Sequence, residues 1–236
     1  MERSDTISSR LGRYVSAHRL AAFCYTLCLL LFVALAFAAA MHDRLPGDLT
    51  LSLRLQGVHG KLFGDAMRTI SFMGNDALLA AEVLLLAGGL WISRWRRASV
   101  LVLLTLVADG ISYIVKELVS RPRPSAYLVR VTGSESTPSF PSGHAVHFVV
   151  IFGLLAFLVP RLFGRGMFVR ALQGLLLLLI PFVGISRVYL GVHWTSDVLG
   201  GYLLGILILW PLAASWKEKN DANREAKKPT PIARRR

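Results

Sequence analysis

Three short segments hold most of the reactive side chains of this chain: 116–124 (KELVSRPRP), 141–144 (PSGH) and 186–197 (SRVYLGVHWTSD). The first and last bring three cations, Lys116, Arg123 and Arg187, from separate places in the sequence. A tetrahedral oxyanion in transfer needs such a set, because its negative charge is spread over several oxygens that must be held and neutralised together. Arginine contributes a planar fork of donors and lysine a compact point charge. Pro122 and Pro124 keep the backbone extended around Arg123, which limits where its side chain can point.

The second segment reads as a helix start. A helix N-terminus presents unpaired amides and a positive dipole end, so it seats an anion. Ser142 adds a hydroxyl donor, Gly143 allows close backbone approach, and His144 falls at the edge of the seat, where a general acid belongs. In the third segment His193 and Asp197 are four residues apart. If a helix begins early enough they share a face, and the carboxylate accepts a hydrogen bond from one ring nitrogen. The other nitrogen is then a neutral, oriented nucleophile.

Long apolar blocks must position these groups. Hydrophobic residues make up 54% of the chain and charged residues 17%, the balance of a bilayer protein rather than a soluble domain. A span needs roughly 20 apolar residues. The blocks 20–41, 77–93, 98–119, 144–159, 169–185 and 195–214 therefore predict an all-α polytopic membrane protein with about six transmembrane helices. The first block lacks a small-residue cleavage site and reads as an anchor, not a removed signal peptide. This gives an N-terminal tail over 1–19, a membrane domain over 20–216, and a basic, disordered tail over 217–236. Segment 60–73 has helical apolar spacing and is expected to lie along the outer interface.

The net charge of +13 could suit nucleic acid, but the basic residues gather between the blocks and in the tails, which excludes that partner. Arg3, Arg10, Arg13 and Arg19, then Arg94, Arg96 and Arg97, then Arg161, Arg165 and Arg170, then the Lys217–Arg236 region all fall on one side of a six-helix arrangement. The positive-inside rule makes that side, and both termini, cytoplasmic. The three reactive segments then face the periplasmic or extracellular side of the cell membrane.

The pattern K-x6-RP, PSGH and SR-x5-H-x3-D resembles that of the type 2 phosphatidic acid phosphatase family, over about residues 74–214. The positions that carry the resemblance are Lys116, Arg123 and Pro124; Pro141, Ser142, Gly143 and His144; and Ser186, Arg187, His193 and Asp197. The resemblance implies a metal- and cofactor-free, two-step hydrolase acting on lipid phosphates or diphosphates. His193 would attack phosphorus and His144 would protonate the leaving oxygen. Asp197 would orient His193, while Lys116, Arg123, Ser142, Gly143 and Arg187 hold the phosphoryl oxygens. A lipid phosphotransferase using the same phosphohistidine is an alternative, as is a lipid-phosphate carrier, although a carrier has no need of a His193–Asp197 pair.

Other polar residues have plainer readings. Asp109 lies on the same face as Lys116, and structural pairing with a polar neighbour is at least as good an account of it as function. His147 reads as a packing or interface residue and Glu117 as a surface one. Cys24 and Cys28, one turn apart in the first block, read as small buried hydrophobes and not a disulfide. The sequence carries no signal of oligomeric state.

Overall fold

Each apolar block becomes helix because a bilayer leaves no other partner for its backbone groups. The computed structural model describes residues 2–74, 76–133 and 135–226, and among these it contains helices and no strands. The order is α1 (Glu2–Met41), α2 (Asp48–Gln56), α3 (Lys61–Phe72), α4 (Asp76–Ile92), α5 (Arg96–Leu103), α6 (Thr105–Val119), α7 (Gly143–Leu162), α8 (Met167–Tyr189) and α9 (Thr195–Ala226). Among the described residues five stretches are long and apolar enough to cross a membrane: Arg19–Met41, Arg96–Val119, Gly143–Leu162, Met167–Tyr189 and Thr195–Trp216. Leu78–Ile92 is a shorter apolar helix. The chain is thus a multi-pass, all-α membrane protein.

Three details differ from the sequence reading. The third block is broken at Leu104, between α5 and α6. There the Thr105 hydroxyl donates to the Val102 carbonyl at 2.6 Å and competes with the helical ladder. At the C-terminal end α9 runs on to Ala226, ten residues past 216, where the sequence suggests disorder. Residues 217–226 contain no Gly or Pro and several good helix formers; 227–236 lie outside the described residues. Cys24 is exposed on α1 rather than buried, and Cys28 is half-buried with its thiol directed at the Leu203 carbonyl.

α7 is the central helix, packed against α5, α6, α8 and α9. Its Phe148, Ile151, Leu154 and Leu158 form a dry core with Val83 of α4, Val102 of α5 and Val183 of α8. On the other flank, glycines bring α9 against α7. A Cβ at Gly201 would lie 2.7 Å from both the Ser142 carbonyl oxygen and Ala145 Cβ, and one at Gly205 would lie 2.6 Å from Val149 Cβ. Small residues here let two backbones touch. The same approach lets the Ser142 amide donate to the Asp197 carbonyl at 3.0 Å, pinning the start of α7 to the first turn of α9.

Residues 42–74 form two short helices, of which α2 has no counterpart in the sequence reading. α3 falls within the expected 60–73 segment and packs on α8 through Gly64, Met67 and Ser71, spaced along one face. Met67 joins Tyr189, Leu190 and Val192 in a small core beneath it. At the far end of the bundle, Trp95 packs edge-on against Phe163 at 4.8 Å, and Arg97 donates to the Ser215 carbonyl at 2.7 Å. The arginine-bearing connections 94–97 and 161–170 therefore lie at one end, and the three reactive segments lie at the other.

Candidate active site

Two helices end, and a third begins, around one point. Lys116 occupies the last turn of α6 and Arg187 that of α8, both favourable places for a cation near exposed carbonyls. Ser142 is the residue preceding α7, in extended conformation, and Gly143 opens the helix. Arg123 reaches in from the 120–142 loop. Its Nε donates to the Thr137 carbonyl at 2.7 Å and its Nη1 to the Val192 carbonyl at 2.7 Å. It thus ties the loop to the turn that carries His193. Burial lowers the Arg123 pKa to about 10, against an opposing pull from Asp197, so it remains a cation at neutral pH.

His193 lies in the turn between α8 and α9, because α9 begins only at Thr195. The expectation of a shared helical face is therefore corrected. Gly191 makes the turn possible: its φ is +70°, and a Cβ there would strike the Arg130 carbonyl oxygen at 2.2 Å. His193 Nδ1 faces Ser139 Oγ at 3.5 Å and Asp197 Oδ2 at 3.6 Å, while Nε2 faces Arg123 Nη1 at 3.2 Å. An arginine donor at Nε2 is compatible with a proton on Nδ1 and a lone pair on Nε2. His193 is buried, and its pKa lies well below the usual 6.5. Burial is the largest cause, followed by the charges of Lys116, Arg123, Arg187 and His144.

Asp197 is held more firmly than the His193 contact requires. Oδ2 accepts the Trp194 amide at 2.8 Å and the Ser139 hydroxyl, and Oδ1 pairs with Arg121. Arg121 also pairs with Asp48 of α2 at 2.9 Å, and its side chain is fully buried. Asp48 accepts in turn from the Ser196 amide at 2.9 Å and the Ser196 hydroxyl at 2.7 Å. One guanidinium thus bridges two buried carboxylates, and the surrounding donors satisfy their remaining lone pairs. This explains α2: it delivers Asp48 to the base of the site.

At the helix start, Ser142 is fully buried and its Oγ has no hydrogen-bond partner among the described residues, leaving it available to an anion. Lys116 Nζ donates to the Pro138 carbonyl at 2.8 Å, and its Cε lies 3.7 Å from where a Cβ on Gly143 would sit. The His144 ring rests on Gly74; a Cβ there would lie 2.0 Å from its Cδ2. Two cavities meet at His144. A bowl of about 480 Å³ is lined by Arg68, Ser71, Thr132, Arg187 and Leu190. A cleft of about 320 Å³ runs between α4 and α6, lined by Leu79, Leu106, Asp109, Ser112 and Lys116. Glu135, Thr137 and His144 line both.

The structure brings Lys116, Arg123, Ser142, Gly143, His144, Arg187, His193 and Asp197 to this one region. It adds residues the sequence reading missed. Arg121 sits inside the first motif, where the repeated Arg-Pro pair could have flagged it. Asp48, Ser139 and Ser196 gave no signal. Ser71 of α3 accepts a hydrogen bond from Arg187. Glu135 pairs with Arg123 at 2.6 Å and with Arg187, and its Oε2 is 3.9 Å from His193 Nε2. Outside the cluster, Asp109 pairs with His147 Nδ1 at 3.1 Å. Among the described residues, no three His, Cys, Asp or Glu side chains are grouped as metal ligands.

Residues 97–221 match the PAP2 superfamily, against a resemblance placed at about 74–214 from the motifs. The chain is 32% identical over 193 residues to phosphatidylglycerophosphatase B of Bacillus subtilis, covering 78% of this chain and 91% of that protein. It is 35% identical over 103 residues to decaprenylphosphoryl-5-phosphoribose phosphatase of Mycobacterium tuberculosis, covering 43% of this chain and 51% of the other. The crystal structure of the first transmembrane PAP2 type phosphatidylglycerolphosphate phosphatase from Bacillus subtilis superposes with a TM-score of 0.72. The identity there is 29%, covering 83% of this chain and 96% of that one.

Proposed function

The chain belongs to the PAP2 superfamily, and we propose that it is a metal-independent lipid phosphate phosphatase working through a phosphohistidine on the non-cytoplasmic face. One observation carries this reading: Arg123 and Arg187 close on the Glu135 carboxylate 3.9 Å from His193 Nε2. A carboxylate held there marks a seat for a planar or tetrahedral oxyanion beside a neutral imidazole.

With a phosphate in that seat, Lys116, Arg123, Arg187, the Ser142 hydroxyl and the Gly143 amide hold its oxygens. The His193 Nε2 lone pair forms the N–P bond as the ester P–O bond breaks in line. His144 gives its proton to the departing lipid oxygen. Asp197, anchored by Arg121 and Ser139, keeps His193 Nδ1 toward it and stabilises the charge that develops. Water then attacks the phosphohistidine, with His144 taking its proton, and inorganic phosphate leaves. The bowl at Arg187 and His144 gives water a path to the seat, which favours hydrolysis over transfer to a second lipid. The cleft between α4 and α6 accommodates the lipid. The arginine-rich connections lie at the opposite end, and by the positive-inside rule this supports a site outside the cytoplasm with both termini inside.

The relatives above are named for glycerolipid and polyprenyl substrates, and lipid monophosphates and diphosphates are the class to assay. The test is phosphate release by purified protein in detergent, with excess chelator, from phosphatidylglycerophosphate, phosphatidate and undecaprenyl diphosphate. The expected result is chelator-resistant release, plus an acid-labile, base-stable phosphoprotein that His193→Ala cannot form. No release from any of the three, or release that needs added magnesium, refutes the proposal.

A further inference from the structure

The cleft between α4 and α6 contains polar groups that the mechanism above leaves idle. On α6, Leu106, Asp109, Ser112, Tyr113 and Lys116 line it as one stripe. At 1.5 Å rise per residue, Ser112 and Asp109 stand about 6 Å and about 10 Å along the axis from Lys116, away from the phosphate seat. Ser112 is 2% exposed, and its Oγ has no hydrogen-bond partner among the described residues. That oxygen lies 3.9 Å from where a Cβ on Gly143 would sit, beside Lys116 Cε. It therefore borders the space next to the seated phosphate. A buried hydroxyl without a partner is costly unless a ligand supplies one.

Asp109 follows one turn deeper. Its side chain is 35% exposed and pairs with buried His147 through Nδ1, at 3.1 Å and 3.2 Å to its two oxygens. The pairing leaves carboxylate lone pairs facing the cleft. Beyond Asp109 the lining is apolar, with Leu79, Ala80 and Leu106. Among the described residues no lysine or arginine lines the cleft past Lys116.

We propose that Ser112 and Asp109 form a subsite for a hydroxyl on the leaving group. The substrate class is then a lipid phosphomonoester of glycerol type, with a free hydroxyl on the carbon two bonds from the departing oxygen. Such a hydroxyl donates its proton to the Asp109 carboxylate and accepts from the Ser112 hydroxyl as the phosphate sits on Lys116 and Gly143. A lipid diphosphate presents a second phosphate at this point, which needs cations and meets a carboxylate instead. The subsite rests on the phosphatase reading above and narrows its substrate.

The test uses purified full-length protein in mixed micelles and two substrates with identical acyl chains. One is phosphatidylglycerophosphate. The other is its analogue with a 1,3-propanediol phosphate head, which lacks only the free hydroxyl. The native protein should favour the hydroxyl-bearing lipid in kcat/KM by at least about tenfold, since a site that hydrogen-bonds a hydroxyl discriminates against its absence. Ser112→Ala and Asp109→Asn should each bring that ratio toward one, through loss on the hydroxyl-bearing lipid. Ser112→Ala breaks no hydrogen bond among the described residues, so it carries the test even where Asp109→Asn fails to fold. A native ratio near one overturns the subsite, as does an equal loss on both lipids in Ser112→Ala, which would make Ser112 a phosphate contact. No release from either lipid while undecaprenyl diphosphate is cleaved, or release without discrimination, overturns the subsite alone; no release from these lipids, phosphatidate or undecaprenyl diphosphate overturns the phosphatase reading with it.

Discussion

In the proposed mechanism Glu135 occupies the place a substrate phosphate takes, and replacing it with glutamine tests that placement. Its carboxylate pairs with Arg123 at 2.6 Å and with Arg187, and its side chain is 29% exposed. Any anion entering the seat must displace two charge-assisted contacts. At a partly solvated site each contributes about 0.5–1 kcal/mol after screening and side-chain ordering. The competing carboxylate therefore opposes anion binding by about 1–2 kcal/mol, which at 1.4 kcal/mol per decade is about 5- to 30-fold in affinity. Glutamine keeps the shape and removes the charge. In Glu135→Gln the inhibition constants of orthovanadate and inorganic phosphate should both fall by that factor, read by competition against a lipid phosphate at fixed ionic strength. Raised salt should narrow the gap between native and variant, because exposed pairs are screened. Inhibition constants that stay the same would show that the carboxylate does not compete for the seat. Constants that rise would show that it positions the arginines for the anion instead.

Three further outcomes follow from the site. Burial and four neighbouring positive groups hold His193 well below 6.5, so its neutral form is full above 6.5, and both activity and its share of stability decline as pH falls from there toward the folded pKa. The acid limb of kcat/KM should lie below 6.5 and move upward in Lys116→Met, where a cation is removed; a downward move refutes the assignment. Arg121→Met strands the buried Asp48 and Asp197 without their shared counter-ion. It should cost about 3–5 kcal/mol, seen as a large drop in the thermal midpoint in detergent, and an unchanged midpoint would show that the two acids are satisfied without it. A cysteine at Ser136, in a background lacking Cys24 and Cys28, should react with an impermeant maleimide on intact cells; labelling only after lysis inverts the topology.

The sequence disclosed those parts of the site whose residue types have few uses inside a membrane. Lys116, Arg123 and Arg187 are costly near apolar spans, and in combination with the two histidines they point to an anion. The six apolar blocks were legible because bilayer thickness dictates their length. What stayed hidden depends on three-dimensional closure. α2 is nine residues of alternating polar and apolar character, and its purpose emerges only when Asp48 meets Arg121 across 73 positions of sequence. The spacing of His193 and Asp197 suggests neighbours on one helical face, and in the fold they lie 3.6 Å apart without sharing a helix. Their geometry differs because Gly191 turns the chain before α9 starts, so a loop and not a helix face sets their 3.6 Å separation. Glu135 is the clearest case. Nothing in its sequence neighbourhood singles it out. In the fold, the 120–142 loop is tied down by Arg123 at Thr137 and by Ser139 at Arg121, and this tether holds Glu135 against the two arginines. Its charge gives it affinity for the two arginines, so an acid in a loop stapled to a cation cluster reads as an occupant of that cluster until an anionic substrate replaces it.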